Sequence, residues 1–307
     1  MDNYIKNLIT NIPERNAMLK VDLIMEGGAY NGYYGLGCLI FLKELEKQKY
    51  IQVNRISGAS VGAMFGTAFV LDQLDDIVTS YKEIRDHFKQ HLNMSCLKNI
   101  IRESIDKIDE SKFNTIKKDK IFLTYYNKSS LRQKTISEFK DKEDLIKMLQ
   151  ASAHIPYITG DTYFYEDDGN KYIDGGTPYI FPERKRDKDT KILYISITNL
   201  STLRNILSTR NERTPHGRML EGVLDTYKLF MGNGESSMCS YVDDWSYLDF
   251  LKLRIKQLSV IILIYSFLLG NNVGQIVYPY AKDTRIYNIL CGIIFNCYQD
   301  FMIFNCF

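Results

Sequence analysis

Gly58-Ala59-Ser60-Val61-Gly62 constrains this chain more than any other stretch, because it sets a serine between two glycines where a strand, Arg55 to Ser57, meets a helical run, Val61 to Leu71. A serine on such a turn takes a strained backbone conformation. The positions two before and two after it must therefore be glycine or similarly small. Its hydroxyl is then held at a helix N-terminus, where free backbone N–H groups and the positive end of the helix dipole favour charge growing on an attacked carbonyl. An ordinary glycine-flanked helix start with Ser60 as its cap uses the same residues, so other segments have to decide.

Two others bear on it. Val21 to Met25 reads as a short buried strand that runs into Glu26-Gly27-Gly28-Ala29-Tyr30-Asn31-Gly32, followed by a helical stretch from about Tyr34 to Glu46. Such a turn exposes backbone donors able to hold a phosphate or an oxyanion, and without a nearby nucleophile the phosphate reading is the default. Much later, Lys171-Tyr172-Ile173-Asp174-Gly175-Gly176 puts a carboxylate at a strand end before two glycines that turn the chain.

In this order the three segments resemble the patatin-like phospholipase family of serine acyl hydrolases. The glycine-rich oxyanion loop falls on Gly27 to Gly32, the elbow on Gly58 to Gly62, and the Asp-Gly-Gly on Asp174 to Gly176. Leu149 to Pro156 matches the alanine-rich helix end, closed by proline, that precedes the family's aspartate. The resemblance covers roughly residues 20 to 200. It implies a three-layer α/β fold, a central mostly parallel sheet flanked by helices; the C-terminal region beyond it reads, from its own apolar runs, as mainly helical. It also implies Ser60 as nucleophile, Asp174 as proton acceptor, and an oxyanion hole drawn from Gly27, Gly28, Ala29 and Val61. Gly32, Gly58, Gly62, Gly175 and Gly176 are the motif glycines. The implied substrate is a phospholipid or related lipid ester, cleaved through an acyl-enzyme on Ser60 without cofactor or metal. A carboxylate serves as base only in a partly dry pocket that raises its pKa.

The loop departs from the family pattern at Ala29, which stands for the third glycine, and at Asn31, which stands for a basic residue. Losing one oxyanion donor typically lowers turnover about a hundredfold to a thousandfold. A catalytically degenerate, lipid- or membrane-binding member therefore stays open as the alternative. A nucleotide- or phosphate-binding α/β protein is a third reading, although no P-loop lysine and serine follow the glycines. Ser60, Asp174 and His216 also occur in the chain order of an α/β-hydrolase triad. Against that, only one clear strand and helix precede the elbow, and His216 lies in a helix-start context. His154, beside Ile155-Pro156, reads as a packed helix-end residue.

His87 and His91 share a helical spacing but lack a third metal ligand nearby. The six cysteines show no C-x-x-C spacing and read as reduced, mostly buried thiols. With 39 Lys and Arg against 37 Asp and Glu, nothing points to a nucleic-acid surface. The mixed-charge run Pro182 to Asp189 reads as a solvated loop. Residues 1–19 are polar, without a signal-peptide core, and form an N-terminal extension. This favours an intracellular protein, cytoplasmic or membrane-associated.

Residues 20–200 form the catalytic domain in this reading, and 201–307 a region that packs on the core or contacts membrane. Leu74 to Leu92 and Asp144 to Ala153 read as helices, Lys120 to Tyr126, Gln133 to Phe139 and Ile192 to Thr198 as strands, and Ile100 to Lys118 as a charged connector. A hairpin turns at Asp168-Gly169. Leu258 to Leu269 is almost wholly apolar but shorter than the roughly 20 residues that span a bilayer. Extended back to Trp245 it includes Asp249, Lys252, Arg254 and Lys256. The segment 245–269 is read either as core or oligomer contact or as a peripheral membrane anchor, and Ile286 to Phe307 as a second such stretch.

Overall fold

The structure is a computed structural model and describes residues 2–13, 16–28, 31–130, 132–182, 189–197, 215–232 and 238–306. Its centre is β1 (Leu19–Met25), whose side chains alternate between two buried faces. Val21, Leu23 and Met25 point into the main core, while Ile24 joins a smaller cluster on the opposite face. A strand buried on both faces belongs in the middle of a parallel sheet. Accordingly β1 pairs in parallel with β2 (Ile51–Gly58) on one side and β7 (Thr190–Ile195) on the other.

β3 (Lys118–Asn127) continues the parallel set beside β2. The margins are antiparallel: β4 (Arg132–Glu138) and β6 (Asn170–Asp174) pair with β3, β5 (Tyr165–Asp167) with β6, and β8 (Cys239–Tyr241) with β7. The strand order is β5-β6-β3-β2-β1-β7-β8, with β4 on β3. This is the mixed α/β sheet, mostly parallel at its centre and flanked by helices, that the sequence leads one to expect.

One face is covered by α2 (Gly32–Lys47), α3 (Val61–Leu71), α7 (Lys142–Ser152) and α8 (Pro215–Met231), which share one large apolar cluster with the sheet. α1 (Asp2–Ile9) also enters it through fully buried Ile5 and Ile9. α4 (Leu74–His91) packs outside α3. The opposite face is closed differently, by Phe181, Val242, Trp245 and Leu253 over Ile24, Ile192 and Tyr194.

Two expectations need correction. The connector expected from Ile100 to Lys118 is α5 (Leu97–Asp106) followed by α6 (Glu110–Ile116). Leu97, Ile100, Ile101 and Ile105 form one buried stripe at helical spacing, and Asp109 caps α6 by accepting the Lys112 N–H at 2.7 Å. The charged residues between them occupy the solvated side and hide the period. The thiols are not mostly buried either: Cys38 and Cys239 are, but Cys291 and Cys297 are exposed and Cys96 is half-buried. Thr198 and residues 183–188 of the charged run lie outside the described residues.

The apolar stretch after Trp245 is part of a single 35-residue helix, α9 (Tyr247–Ala281), started by a Ser246–Asp249 capping box. α10 (Arg285–Cys306) follows. By length and composition α9 is long and apolar enough to cross a membrane. A strip of it meets the domain: Leu253 and Ile264 are buried, and Val260, Ile261 and Leu268 partly so. Leu251, Ile255, Leu258, Ile262, Leu263 and Leu269 are exposed. Core packing thus accounts for one edge of the helix and leaves its larger apolar face open.

Candidate active site

Three parallel-sheet features converge at the C-terminal ends of β1 and β2. β2 ends at Gly58 and α3 begins at Val61, so Ser60 sits in the turn between them with φ 55° and ψ −129°. For a residue with a Cβ this is a sparsely populated conformation, costing on the order of 1–3 kcal/mol and persisting only where its surroundings enforce it. The flanking glycines show how. A Cβ on Gly58 would lie 2.5 Å from the Gly62 carbonyl oxygen, and one on Gly62 would collide with the carbonyl of Glu26. The turn is therefore compressed against the end of β1, and only glycine fits on either side of the serine.

That compression brings the early glycines to the serine. A Cβ built on Gly27 would stand 3.0 Å from Ser60 Cβ. The Gly28 carbonyl accepts the Asn31 N–H at 3.0 Å and turns the chain into α2. Val61 is the first amide of α3 and has no acceptor within that helix. Gly27 thus lies against Ser60, with Val61 next to it in the chain. Ala29 lies outside the described residues. Asn31 is wholly buried at the head of α2.

Asp174 ends β6, next to β3 in the sheet. Its Oδ1 accepts the Gly176 N–H at 2.7 Å. Its Oδ2 is buried, with no hydrogen-bond partner among the described residues, although the residue as a whole keeps some exposure. Burial pushes the carboxyl up to about 6, against the opposing pull of the Ser60 hydroxyl and the Gly176 amide. The serine and the aspartate therefore share one neighbourhood. Ser60 itself is only 8% exposed.

The end of α7 ties these parts together. Ser152 Oγ accepts the Ser60 N–H at 3.2 Å, the Ser152 carbonyl accepts the Gly175 N–H at 3.3 Å, and the His154 carbonyl accepts the Asp174 N–H at 2.8 Å. One short segment thus fixes the backbone on both sides of the pair. Gln133 Nε2 adds a clamp on the Gly175 carbonyl at 2.7 Å. The sequence marks the Leu149 to Pro156 segment only by likeness, and nothing local in it assigns Ser152 this task. Gln133 gives no local signal at all.

Glu26, the last residue before the glycines, is given no role by the sequence reading. It is 4% exposed, and it accepts hydrogen bonds from the Tyr194 hydroxyl, from Ser196 Oγ at 2.8 Å and from the Ile197 N–H at 3.3 Å. Lys256 on α9 reaches both of its oxygens at 2.7 Å. A buried carboxylate needs such a set of donors. Its signal in the sequence is a lone acidic residue directly after a buried strand.

The histidines stand elsewhere. His216 is exposed in the first turn of α8. The His154 ring lies against Thr159 and Tyr165, and burial pushes it down to about 4, so it is neutral at pH 7. The His87 and His91 rings are 4.4 Å apart, with His87 Nε2 near Asn93 and Ser95. Among the described residues no group of three or more His, Cys, Asp or Glu gathers as metal ligands.

A buried serine on a strained strand-to-helix turn thus lies beside a carboxylate lifted by burial and a glycine loop, all on a mixed α/β sheet. Comparison with known proteins gives the family. The family model for patatin-like phospholipase matches residues 23–183, and the chain belongs to that family. Its curated relatives are distant. It is 22% identical over 174 residues to patatin-like phospholipase domain-containing protein 4 of Homo sapiens, covering 54% of this chain and 68% of that protein. It is 26% identical over 168 residues to omega-hydroxyceramide transacylase of Mus musculus, covering 51% of this chain and 27% of that one. Family membership supports lipid acyl hydrolysis in the broad sense.

Proposed function

We propose that the chain hydrolyses carboxylic ester bonds of phospholipids or related lipids through a Ser60/Asp174 dyad. Asp174 takes the hydroxyl proton as Ser60 Oγ attacks the ester carbonyl. The N–H groups of Gly27, Gly28 and Val61, with Ala29, stabilise the tetrahedral oxyanion. Collapse expels the alcohol, which leaves with the proton held by Asp174. Water, deprotonated by the same aspartate, then releases the fatty acid from the acyl-enzyme.

The observation that carries this reading is Ser60 on its strained turn, held by the same Ser152–His154 segment that holds Asp174, whose carboxyl burial lifts to about 6. A free aspartate, with a pKa of about 3.9, is a weak base. One at about 6 is better matched to a serine proton and is still ionised at pH 7. Ser60→Ala and Asp174→Asn are each expected to abolish ester hydrolysis with the fold intact. A fluorophosphonate probe should label wild type at Ser60. Full hydrolysis by either variant, or label on another residue, would refute the dyad.

The open apolar face of 245–269 supplies a peripheral contact with the lipid surface in this reading. A second reading, a lipid-binding member without turnover, is favoured by Asn31, which is buried and uncharged where the family pattern has a basic residue. It requires vesicle binding with no fatty acid released by the purified protein.

A further inference from the structure

α9 touches both halves of the site. Lys256 Nζ lies 2.7 Å from each oxygen of Glu26, whose backbone leads directly into Gly27 and Gly28 and whose carbonyl abuts the Gly62 Cα. One helical turn further, Val260 covers the loop after Asp174: Gly176 has φ +69°, and a Cβ there would collide with Val260 Cγ1. Positions 256 and 260 are four apart and so lie on the same helix face. The contacts fall 230 residues apart in sequence for Glu26 and Lys256, so no local pattern announces them.

We propose that Lys256 is a positioning residue for the reaction, acting through Glu26 to set the Gly27–Gly28 amides against Ser60, and that α9 is thereby an integral part of the active site. The inference rests on the hydrolase reading above. Two physical points support it. Glu26 is almost fully buried, so the Lys256 charge offsets its desolvation, and removing that charge takes an ion-pair partner from a buried carboxylate directly beside the glycine turn. Oxyanion donors act only when held at the distance the developing charge requires, so a small shift of that turn falls on the transition state more than on substrate binding. Lys252, one turn earlier, pairs only with exposed Asp249 in the described contacts and provides the control.

The test compares Lys256→Met, Lys256→Arg and Lys252→Met in the full chain, using a short-chain p-nitrophenyl ester that needs no vesicle and backbone amide hydrogen exchange. Lys256→Met is expected to lower kcat about tenfold or more, with KM within about twofold. Amides at residues 27–28 should exchange faster, while those of β2 should not. Lys256→Arg should recover most of kcat, and Lys252→Met should match wild type. Wild-type kcat together with wild-type exchange at 27–28 in Lys256→Met overturns the proposal. So does a uniform rise in exchange across the sheet, which marks a purely structural ion pair. If Lys256→Met does not fold, Lys256→Gln takes its place under the same criteria. If wild type itself hydrolyses no ester and takes no fluorophosphonate, the dyad reading fails, and the exchange at 27–28 alone decides the role of Lys256.

Discussion

Two apolar helices border the candidate site, and they are treated in opposite ways. α3 carries Ser60 at its head and is enclosed by protein, with Val61, Phe65, Phe69 and Leu71 all buried. α9 reaches the neighbouring segments, Glu26 through Lys256 and Gly176 through Val260, yet Ile255, Leu258, Ile262, Leu263 and Leu269 remain open. Apolar composition alone does not distinguish them. What separates them is what surrounds each: for α3 a close-packed core, for α9 a narrow strip of domain and an uncovered remainder much larger than scattered surface residues would give.

That contrast can be broken at either helix. The largest effect should come from Phe69→Ala on α3, where a fully enclosed ring leaves a cavity; unfolding by urea should show a loss of about 3–5 kcal/mol. A loss below about 1 kcal/mol would place α3 in the same category as α9. Asp174, beside the head of α3 and two residues before the Gly176 that meets Val260, comes next. Its carboxyl is raised from an unfolded value of about 3.9 to about 6, so the fold favours the protonated form. That contribution is full below the unfolded value and is lost as pH rises through about 6. Asp174→Asn should therefore gain stability over wild type at pH 8, by up to about 3 kcal/mol, and gain little at pH 4.

In the proposed mechanism the same titration governs catalysis with the opposite sense. The proton-accepting form is the carboxylate, so kcat/KM should fall about tenfold per pH unit below about 6 and level off above it. A profile flat from pH 5 to 8 would remove Asp174 from the role of base. The smallest change in stability is expected on the outer face of α9, where Ile262→Ser and Leu263→Ser should each cost less than about 0.5 kcal/mol. Their effect should appear in co-sedimentation with phosphatidylcholine vesicles, which should weaken. Unfolding costs as large as that of Phe69→Ala would show that this face is covered by protein.

The strand-to-helix turns were legible because their chemistry is local: glycine spacing around Ser60, and glycines after β1 and after Asp174. α5 and α6 were not, since Arg102, Glu103, Lys107 and Asp109 dilute an apolar period that only Leu97, Ile100, Ile101 and Ile105 carry. Ser152, Gln133 and Glu26 stayed silent for another reason. Each works through a partner remote in the chain, and a polar residue met alone in a sequence looks the same whether it faces water or holds a distant backbone. The direction of α9 is of this kind too, because the run Leu258 to Leu269, apolar except for Ser259 and Ser266, fixes neither which side packs nor on what.

The ladder linking β1 to both β2 and β7 has a consequence for how the molecule comes into being. Ser60 is synthesised early, but the strand on the other side of β1 starts at Thr190, and the cation that meets Glu26 arrives at residue 256. A chain still leaving the ribosome therefore carries its serine long before the surroundings that would arm it. Such long-range closure makes for slow folding, and the candidate site is complete only once residue 256 has joined it.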